Sequence, residues 1–463
     1  MEPDVQHGAS GFFLWRWNRP TQSVTLVGAS LFPEPLMPTR RQFLGTSALA
    51  LSAATYAGAA DKPNERMRVA IMGCRIRGKQ LLPVFLKQPN VEIAYVIDPD
   101  ERLYPDILKL AKDQASPPKT ATDVRKVLED QSVTALVVAA PDHWHALATV
   151  WACQAGKHVY CEKPCSHDLV EGRRMVQAAR KYKRVVQIGT QRRSQSSVIA
   201  AREYVLSGKL GKVAFARAWI AGGRPNIGVK KPSAVPAGVD YSLWLGPAAE
   251  TPFTENRFHY NWHWFWDLGT GEIGNNGIHG LDVARNVMGL DAPTKISCAG
   301  GKFHYDDEQQ TPDTQIATFD FPNGPGGAMG CTLVWEHRVW EKKDQGPEGQ
   351  SYGIAIHGDK GTLLFNGDSW TVRGGDGAAD KPKGDMMAEH VRNFLDCIRD
   401  DKRPNADIEE GHKSTRLCHL GNIAYRTGKT LHFDPKTETF PDQPEANKFL
   451  GRDYRKGFEL PAV

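Results

Sequence analysis

Residues 67–78 read MRVAIMGCRIRG, a short apolar run that leads directly into a glycine-bounded turn. The turn keeps Gly73 and Gly78, the first and last glycines of the GxGxxG fingerprint, and carries Arg75 in place of the middle one. The first glycine permits the tight turn and the last permits close packing of helix on strand, whereas the middle one normally lets the backbone approach a pyrophosphate. The stretch therefore predicts the opening strand, turn and helix of a Rossmann-type sheet.

Arg75 has two interpretations that the sequence leaves open. Its guanidinium can contact the phosphates in place of the backbone, or it is a solvent-facing loop residue. Asp98 follows Gly78 by twenty residues and ends the second predicted strand, where a carboxylate accepts both ribose hydroxyls and repels a 2′-phosphate. We therefore predict NAD as the cofactor, with a simple turn aspartate before Pro99 as the alternative.

Further short β-rich runs follow the first, each bounded by Gly, Pro or charged residues. Apolar residues at helical spacing between them suit crossover helices that pack on a parallel sheet. We therefore predict an α/β fold that begins with a doubly wound Rossmann domain over residues 65–186. Its predicted strands are Met67 to Met72, Val91 to Ile97, Ala135 to Ala140, His158 to Cys161 and Val185 to Ile188.

Beyond residue 186 the pattern changes to longer alternating runs with Gly- and Pro-rich loops between them. This favours an α+β domain with a large mixed, mainly antiparallel sheet over residues 187–440, and a helix near 391–398 together with the segment 441–463 is expected to pack back on the fold. An open sheet face is costly to leave bare, so we expect a homodimer or homotetramer. The predicted strands here are Lys212 to Ala221, Gln315 to Phe321, Ala328 to Trp335 and Gly361 to Phe365.

Length and composition exclude several classes of protein. The chain has 463 residues, of which 40% are hydrophobic and 24% charged, as in ordinary soluble proteins of two to three domains. A net charge of +5 is too small for a nucleic-acid footprint, so no nucleic-acid partner is expected. Eight cysteines form neither a disulfide scaffold nor a paired CxxC pattern, and no metal site is predicted.

The N-terminal region has the features of an export signal. Arg40-Arg41-Gln42-Phe43-Leu44 precedes an apolar run from Ala48 to Ala57, which is typical of a twin-arginine signal peptide, here assigned to residues 37–60. An ordinary N-terminal helix is the alternative. Met37 lies three residues before the arginine pair, where the charged region of a signal peptide should begin. We therefore interpret residues 1–36 as an over-called start, meaning that translation is expected to begin at Met37 and not at Met1. We expect twin-arginine (Tat) export to the periplasm or beyond, without stable membrane insertion of the mature chain.

Two predicted strand ends carry polar clusters, Pro141-Asp142-His143-Trp144-His145 and Glu162-Lys163-Pro164. Ligands of open α/β sheets bind outside the carboxyl ends of the strands, so these residues are candidates for a site. A lysine at the mouth of a partly dry pocket loses proton affinity and can perform acid/base chemistry, although a solvated charge is the more common use of a lone lysine.

Residues 269–289 read GTGEIGNNGIHGLDVARNVMG. Together with the glycine turn, Asp98, the Ala-Pro-Asp run at 140–142 with His145, and the Glu-Lys-Pro run, this segment resembles the glucose-fructose oxidoreductase, inositol dehydrogenase and rhizopine catabolism family, written Gfo/Idh/MocA. The resemblance extends from Met67 to the end of the chain. It implies a Rossmann domain followed by a substrate-binding and oligomerisation domain.

The resemblance implies roles for individual residues. Lys163 matches the catalytic lysine and His279 the histidine that faces nicotinamide and substrate, while the family's aspartate falls on Asn275, whose neutral amide can only orient and hydrogen-bond. A structural turn at Asn275 and a satisfied buried His279 are the alternatives, and Asp282 is expected to serve helix packing or a salt bridge. The expected cofactor-binding residues are Gly73, Arg75, Ile76, Gly78, Asp98, Pro141, Asp142, His145, Glu162, Lys163 and Gln191.

The segment just before this signature, HYNWHWFWD at 259–267, packs five aromatic residues and two histidines into nine positions. Aromatic faces stack on sugar rings while His, Asn and Asp bond hydroxyls, which favours a carbohydrate or polyol substrate. A strand of alternating core residues is the alternative. The expected substrate contacts are Arg192, His263, Trp264 and His279.

We therefore expect an NAD(H)-dependent oxidoreductase that acts on a hydroxyl or keto group of a sugar, glycoside or polyol. An exported enzyme has no free NAD pool, so a tightly held nucleotide must be recycled within each cycle. The first alternative is thus an NAD-dependent glycoside hydrolase that oxidises, eliminates and re-reduces. The second is a non-catalytic nucleotide- or sugar-binding protein.

Overall fold

The computed structural model describes residues 66–463 apart from 343–344, 380–381 and 383. The predicted signal peptide at 37–60 and the predicted over-called start at 1–36 lie outside the described residues. In the part of the chain that is described, no helix combines the length and apolar character needed to cross a bilayer.

The first sheet has six short strands: β1 Met67–Met72, β2 Val91–Ile97, β3 Lys119–Ala121, β4 Ala135–Val138, β5 His158–Cys161 and β6 Val186–Ile188. All are parallel, in the order β3-β2-β1-β4-β5-β6. The direction of winding reverses between β1 and β4, so a crevice opens outside their carboxyl ends. The predicted doubly wound Rossmann sheet is confirmed.

Successive residues of β1 point to opposite faces of this sheet and enter different cores. Val69 and Ile71 pack in one core with the first helix, whereas Ala70 and Met72 pack in another with the third to fifth helices. Both faces are therefore covered, as a parallel sheet requires. The helices of this region are α1 Ile76–Leu86, α2 Tyr104–Leu108, α3 Val124–Leu128, α4 Asp142–Gln154 and α5 Leu169–Lys181.

The second sheet has nine strands: β7 Val213–Ala221, β8 Lys295–Gly301, β9 Thr314–Phe321, β10 Cys331–Arg338, β11 Tyr352–Gly358, β12 Gly361–Asn366, β13 Ser369–Arg373, β14 Ala378–Ala379 and β15 Leu431–His432. Their order is β14-β13-β12-β11-β7-β10-β9-β8-β15. Among the strands that the structure describes, only β7 and β10 pair in parallel, so the predicted mixed, mainly antiparallel sheet is confirmed. The remaining helices are α6 Ser196–Leu206, α7 Tyr241–Leu245, α8 Ile278–Met288, α9 Met386–Asp400, α10 Ile408–Thr427 and α11 Pro444–Asn447, and a π-helical turn, Ile273–Gly277, precedes α8.

The two faces of the second sheet have different surroundings. Leu333, Phe319 and Ile356 on one face are fully buried in a core that includes residues of α6, α8 and α10. On the opposite face Phe215 is 38% and Ile316 45% exposed. One face is therefore closed by helices, and the other is partly open.

The C-terminal elements return to the first sheet, as predicted. Phe394 of α9 meets Phe85 of α1 and Tyr160 of β5 edge to face, with ring centroids 6.3 and 5.9 Å apart. Beyond α11, the carbonyl of Leu450 accepts from the Val170 amide, and Phe458 packs edge to face on Trp144. This segment therefore supports α4 from outside.

Several predicted element bounds are wrong. β10 begins at Cys331 rather than Ala328 because residues 324–328 form a bridged turn, and β4 ends at Val138, two residues early. The predicted domain boundary at 186/187 falls inside β6. The segment 259–267 holds a 3₁₀ turn, Asn261–Trp264, instead of a strand. Six strands were not predicted, because their alternation of apolar and polar residues is short or interrupted by glycine. They are β3, β8, β11, β13, β14 and β15.

Candidate active site

Steric contacts fix both glycines of the first turn. Gly73 has φ +96°, and a Cβ there would lie 2.4 Å from the carbonyl oxygen of Ala139. A Cβ on Gly78 would lie 1.8 Å from the carbonyl oxygen of Gly73. Both neighbours are backbone atoms that cannot rotate away, so the turn needs glycine at each position. It presents the free N–H groups of the α1 N-terminus to the crevice, an arrangement suited to a pyrophosphate.

Arg75 occupies the position of the middle fingerprint glycine, immediately before α1. Its side chain is exposed and lines the cavity at the carboxyl ends of the strands. Within the described ranges, no hydrogen bond or ion pair joins this guanidinium to another residue. Arg75 is therefore solvent-facing, as the second interpretation requires, and its guanidinium is also available to contact a phosphate, as the first requires.

Asp98 ties the end of β2 to the glycine turn. Its Oδ2 accepts from the Cys74 amide at 2.7 Å, and its Oδ1 accepts from the Asp100 amide at 2.9 Å. Burial raises the pKa of Asp98 to about 6. A carboxylate has about four acceptor positions, so two remain for groups in the cavity.

The crevice forms a cavity of about 300 Å³. Most of the residues predicted from the sequence line it: Gly73, Arg75, Ile76, Asp98, Pro141, Asp142, His145, Glu162, Lys163, Gln191, His263 and His279. Gly78 lies under the turn, and Asn275 contacts Lys163 without lining the cavity. Residues from seven separate stretches of the chain therefore meet here.

The loops after β4 and β5 are held together by buried polar contacts. The Thr270 hydroxyl donates to Asp142 Oδ2 at 2.8 Å, and burial raises the pKa of Asp142 to about 7. His145 faces the carbonyls of Pro164 through Nδ1 at 2.6 Å and of Ala140 through Nε2 at 2.8 Å. These contacts fix the loop that carries Lys163 against α4.

Glu162 is buried and paired. Arg77 donates to its Oε1 at 2.7 Å, and the whole carboxylate packs on Gly189, where a Cβ would lie 2.7 Å from the same oxygen. Arg77 thereby neutralises the charge that adjoins Lys163. An aspartate or an alanine at 162 would leave this guanidinium without its partner.

Lys163 reaches across the cavity to the π-helical turn before α8. Its Nζ donates to the backbone carbonyl of Asn275 at 2.7 Å and to the side-chain Oδ1 at 3.3 Å. Burial lowers the pKa of Lys163, opposed by the charges of Glu162 and Asp142. An amine that loses its proton more readily than usual suits acid/base chemistry.

Two histidines share this end of the cavity. Burial, together with the nearby Lys163 charge, lowers the pKa of His279 well below its usual range, and no hydrogen bond connects its ring to another described residue. The alternative of a satisfied core histidine therefore does not describe His279. His263 Nδ1 lies 2.5 Å from the Tyr260 carbonyl and its ring stacks on Trp262, with centroids 3.6 Å apart. Burial lowers the pKa of His263 to about 3, so Nδ1 carries the proton and Nε2 is an acceptor.

Residues 222–268, which we name the covering segment, form the wall opposite the sheet. The segment is tied to the nucleotide end by the bond of His259 Nε2 to Asp100 Oδ2 at 2.6 Å and by the bond of the Asp240 amide to the Pro99 carbonyl at 2.9 Å. Trp144 of α4 donates to the Trp244 carbonyl at 2.9 Å. The cavity is thus enclosed between the two domains.

Family models match both halves of the chain. Residues 67–190 match the model described as the NAD-binding Rossmann fold of the oxidoreductase family, and residues 212–460 match that described as its C-terminal alpha/beta domain. The chain belongs to the Gfo/Idh/MocA oxidoreductase family. The predictions of family, of an NAD-dependent oxidoreductase and of NAD as cofactor are confirmed at this level.

Relatives within the Gfo/Idh/MocA family include dehydrogenases of sugars and polyols. Myo-inositol 2-dehydrogenase of Thermotoga maritima is 24% identical over 298 residues, 64% of this chain and 74% of that one. Levoglucosan dehydrogenase of Pseudarthrobacter phenanthrenivorans is 29% identical over 94 residues, only 20% of this chain and 24% of that one. The WlbA dehydrogenase of Bordetella pertussis, solved with NADH and UDP-GlcNAcA, has the same fold, with a TM-score of 0.60 at 18% identity over 80% and 99% of the two chains.

Two predicted substrate contacts of this family member lie outside the cavity. Arg192 donates to the Gly367 carbonyl at 2.7 Å and stacks over Phe365, and Trp264 is buried under Arg224. Asp282 forms the expected buried salt bridge, with Arg193 at 2.8 Å. The segment 259–267 contains a 3₁₀ helix, Asn261–Trp264, and not the strand that was the alternative; Trp262 lines the cavity and the expected contact Trp264 does not.

Several cavity residues of this Gfo/Idh/MocA chain were not among the predicted site residues, and four of them are polar or aromatic side chains with a clear place in the site: Arg77, Trp244, His259 and Trp262. Arg77 lies inside the fingerprint, where its charge offered a partner for the Glu-Lys-Pro glutamate. Trp262 and His259 lie within the noted aromatic segment. Trp244 has no signal in the sequence, since its position follows from how the covering segment folds. Among the residues described, no group of three or more His, Cys, Asp or Glu is placed to hold a metal ion.

Proposed function

We propose that the protein is an NAD-dependent dehydrogenase of a hydroxyl group on a sugar, glycoside or polyol. The observation that carries this proposal is the meeting of Lys163, His279 and His263 at one end of a cavity whose other end is the glycine turn. The relatives named for inositol and levoglucosan support the substrate class.

The residues present fit NAD. Gly73 and Gly78, where a Cβ would clash with backbone atoms, leave room for a pyrophosphate at the α1 N-terminus. Arg75 offers a guanidinium that is free among the described residues, and Asp98 can accept hydrogen bonds from ribose hydroxyls. When bound, NAD⁺ supplies a two-electron hydride acceptor. Bound in this direction, its nicotinamide would lie toward Lys163 and Gln191.

The chain's own residues would then manage the substrate hydroxyl. When the carbinol is oxidised to a carbonyl, the uncharged amine of Lys163 would take the hydroxyl proton and become an ammonium. His263 Nε2 accepts a hydrogen bond from a second hydroxyl, and Trp262 supports the His263 ring. A polyhydroxylated substrate supplies both kinds of contact.

Export and assembly are further parts of the proposal. We propose that the twin-arginine segment at 37–60 directs Tat export, to be tested by N-terminal sequencing of the precursor and of the mature protein. A precursor that starts at Met1 would contradict the over-called start.

We also propose that the open face of the second sheet, with Phe215 and Ile316, joins copies of the protein as a homodimer or homotetramer. A monomeric mass at micromolar concentration would contradict this.

The proposed activity is tested by incubating the purified protein with NAD⁺ and a panel of polyols, free sugars and aryl glycosides. The proposal predicts accumulation of NADH on at least one polyol or sugar. Release of aglycone without net NADH would instead identify a redox-neutral glycoside hydrolase. Binding of NAD without turnover of any compound would favour the non-catalytic binding protein.

A further inference from the structure

The partners of Lys163 are unusual for a buried ammonium group. Both of its hydrogen bonds end on oxygens of the same neutral residue, the carbonyl and the side-chain amide of Asn275. No carboxylate of the described residues lies within ion-pairing distance of its Nζ.

Carboxylates near Lys163 are engaged with other groups. Glu162 pairs with Arg77, Glu272 pairs with Arg224 at 3.2 Å and with the Asn276 amide, and Asp142 accepts from Thr270. Arginines compensate the charges of Glu162 and Glu272, and burial raises the pKa of Asp142 to about 7. These three carboxylates therefore stabilise the Lys163 ammonium less than a direct carboxylate contact would.

The other titratable groups that face Lys163 add no negative charge. Desolvation lowers the pKa of His145 of α4, of His263 of the covering segment and of His279 of α8, and Arg77 of α1 carries a positive charge. The surroundings of the amine are thus neutral or positive on every element except the three engaged carboxylates.

The orientation of the Asn275 amide is fixed by this contact. Because Lys163 donates to Oδ1, the Nδ2 group must point away, and there it is buried without a hydrogen-bond partner among the described residues. The π-helical turn at Ile273–Gly277 aims the carbonyl and the amide oxygen of one residue at the same amine.

We propose that Asn275 is a positioning residue that holds the Lys163 amine through neutral oxygens, so that this amine gives up its proton at a lower pH than it would beside an aspartate. This inference rests on the proposed function for its purpose, since the uncharged amine would receive the substrate hydroxyl proton during oxidation. Asn275 itself exchanges no proton. An aspartate at the same position would hold the lysine as an ammonium and delay that transfer to higher pH.

The test is the pH dependence of Lys163 acetylation by acetic anhydride, followed by mass spectrometry, in the full protein and in Asn275→Asp. Only the uncharged amine reacts, so the midpoint reports the proton affinity of Lys163. We expect the midpoint of the parent to lie below the ordinary lysine value near ~10.4. Asn275→Asp is expected to raise the midpoint by about 1–3 pH units, because an opposite charge is placed against the ammonium.

Two further variants separate charge from shape. Asn275→Ala keeps the backbone carbonyl and adds no charge, so its midpoint should stay near that of the parent. Asn90→Asp makes the same charge change at an exposed position beside the amino end of β2, whereas the cavity lies at the carboxyl ends of the strands, and should also leave the midpoint unchanged. The rising limb of the pH profile for NADH formation should move upward in Asn275→Asp alone.

The labelling readout does not need turnover, so it separates this inference from the proposed function. A raised midpoint in Asn275→Asp, in a protein that oxidises no sugar, would support the positioning role and overturn only the proposed function. An unchanged midpoint in a correctly folded Asn275→Asp protein that still forms NADH would overturn the inference.

Discussion

At the nucleotide end of the cavity, Gly73 and Cys74 lie 25 residues or fewer before Asp98, and their amides donate to the Ile97 carbonyl and the Asp98 carboxylate. At the catalytic end, Lys163 and Asn275 are 112 residues apart and meet only through side-chain and loop contacts. The first end follows from local chain geometry, and the second depends on how the two domains pack. The comparison predicts that mutations at the two ends will impair different steps, nucleotide binding at one and proton transfer at the other.

The largest effect is expected from Lys163→Met, which removes the proton acceptor and leaves the glycine turn intact. The rate of NADH formation should fall by about 10²- to 10⁴-fold, the usual contribution of a general base. Stopped-flow absorbance at saturating NAD⁺ measures this rate, and a fluorescence titration measures nucleotide affinity, which should remain close to that of the parent. Lys181→Met, at an exposed site on α5, is the matched control. A loss of affinity as large as the loss of rate would erase the distinction between the two ends.

Gly73→Ala should impair the opposite end. The new Cβ meets the Ala139 carbonyl, so the turn must shift and nucleotide affinity should fall by at least roughly tenfold, as expected for ~1–3 kcal/mol of strain. Gly156→Ala is a matched control because Gly156 also has positive φ, at +78°, but has open space around its Cβ position. It should cost stability without changing affinity. Equal NAD affinity in the two variants would show that the turn does not hold the nucleotide.

The smallest effect is a pH dependence at Asp98. Only the ionised carboxylate accepts both ribose hydroxyls, so NAD affinity should rise as pH increases through about 6, by about tenfold between pH 5 and pH 8. Asp98→Asn should abolish this rise in a calorimetric titration. In the nucleotide-free protein, the raised pKa of Asp98 makes the free energy of unfolding decrease with pH, whereas NAD affinity increases with pH. Its contribution to the free energy of unfolding is full below the unfolded pKa near ~3.9 and is lost as pH rises through about 6. A flat affinity profile in the parent would remove Asp98 from the nucleotide site.

The same contrast explains what the sequence could predict. The glycine turn, Asp98 and the strand ends at Asp142 and Lys163 are recognisable because each depends on a few adjacent residues. The bond between Lys163 and Asn275 was implied only by family resemblance, since the residues themselves give no sign of contact. Trp244 could not be found because its place depends on how the covering segment folds over α4.

Strand bounds show a similar limit. Long alternating strands such as β7 and β9 were predicted to within a residue, whereas β3 and β13 have too few apolar positions to be recognised. At the aromatic segment the composition correctly indicated residues of the cavity wall, but it could not say which tryptophan would face the cavity. A 3₁₀ turn places Trp262, and not Trp264, on the cavity.

The most direct test of the account is a crystal structure of the protein with NAD⁺. The account predicts that the pyrophosphate lies on the turn from Gly73 to Arg75, the adenosine ribose lies at Asp98, and the nicotinamide lies beside Lys163 and His279. A nucleotide bound in the reverse direction or outside this cavity, or a failure to bind NAD⁺ at all, would contradict it.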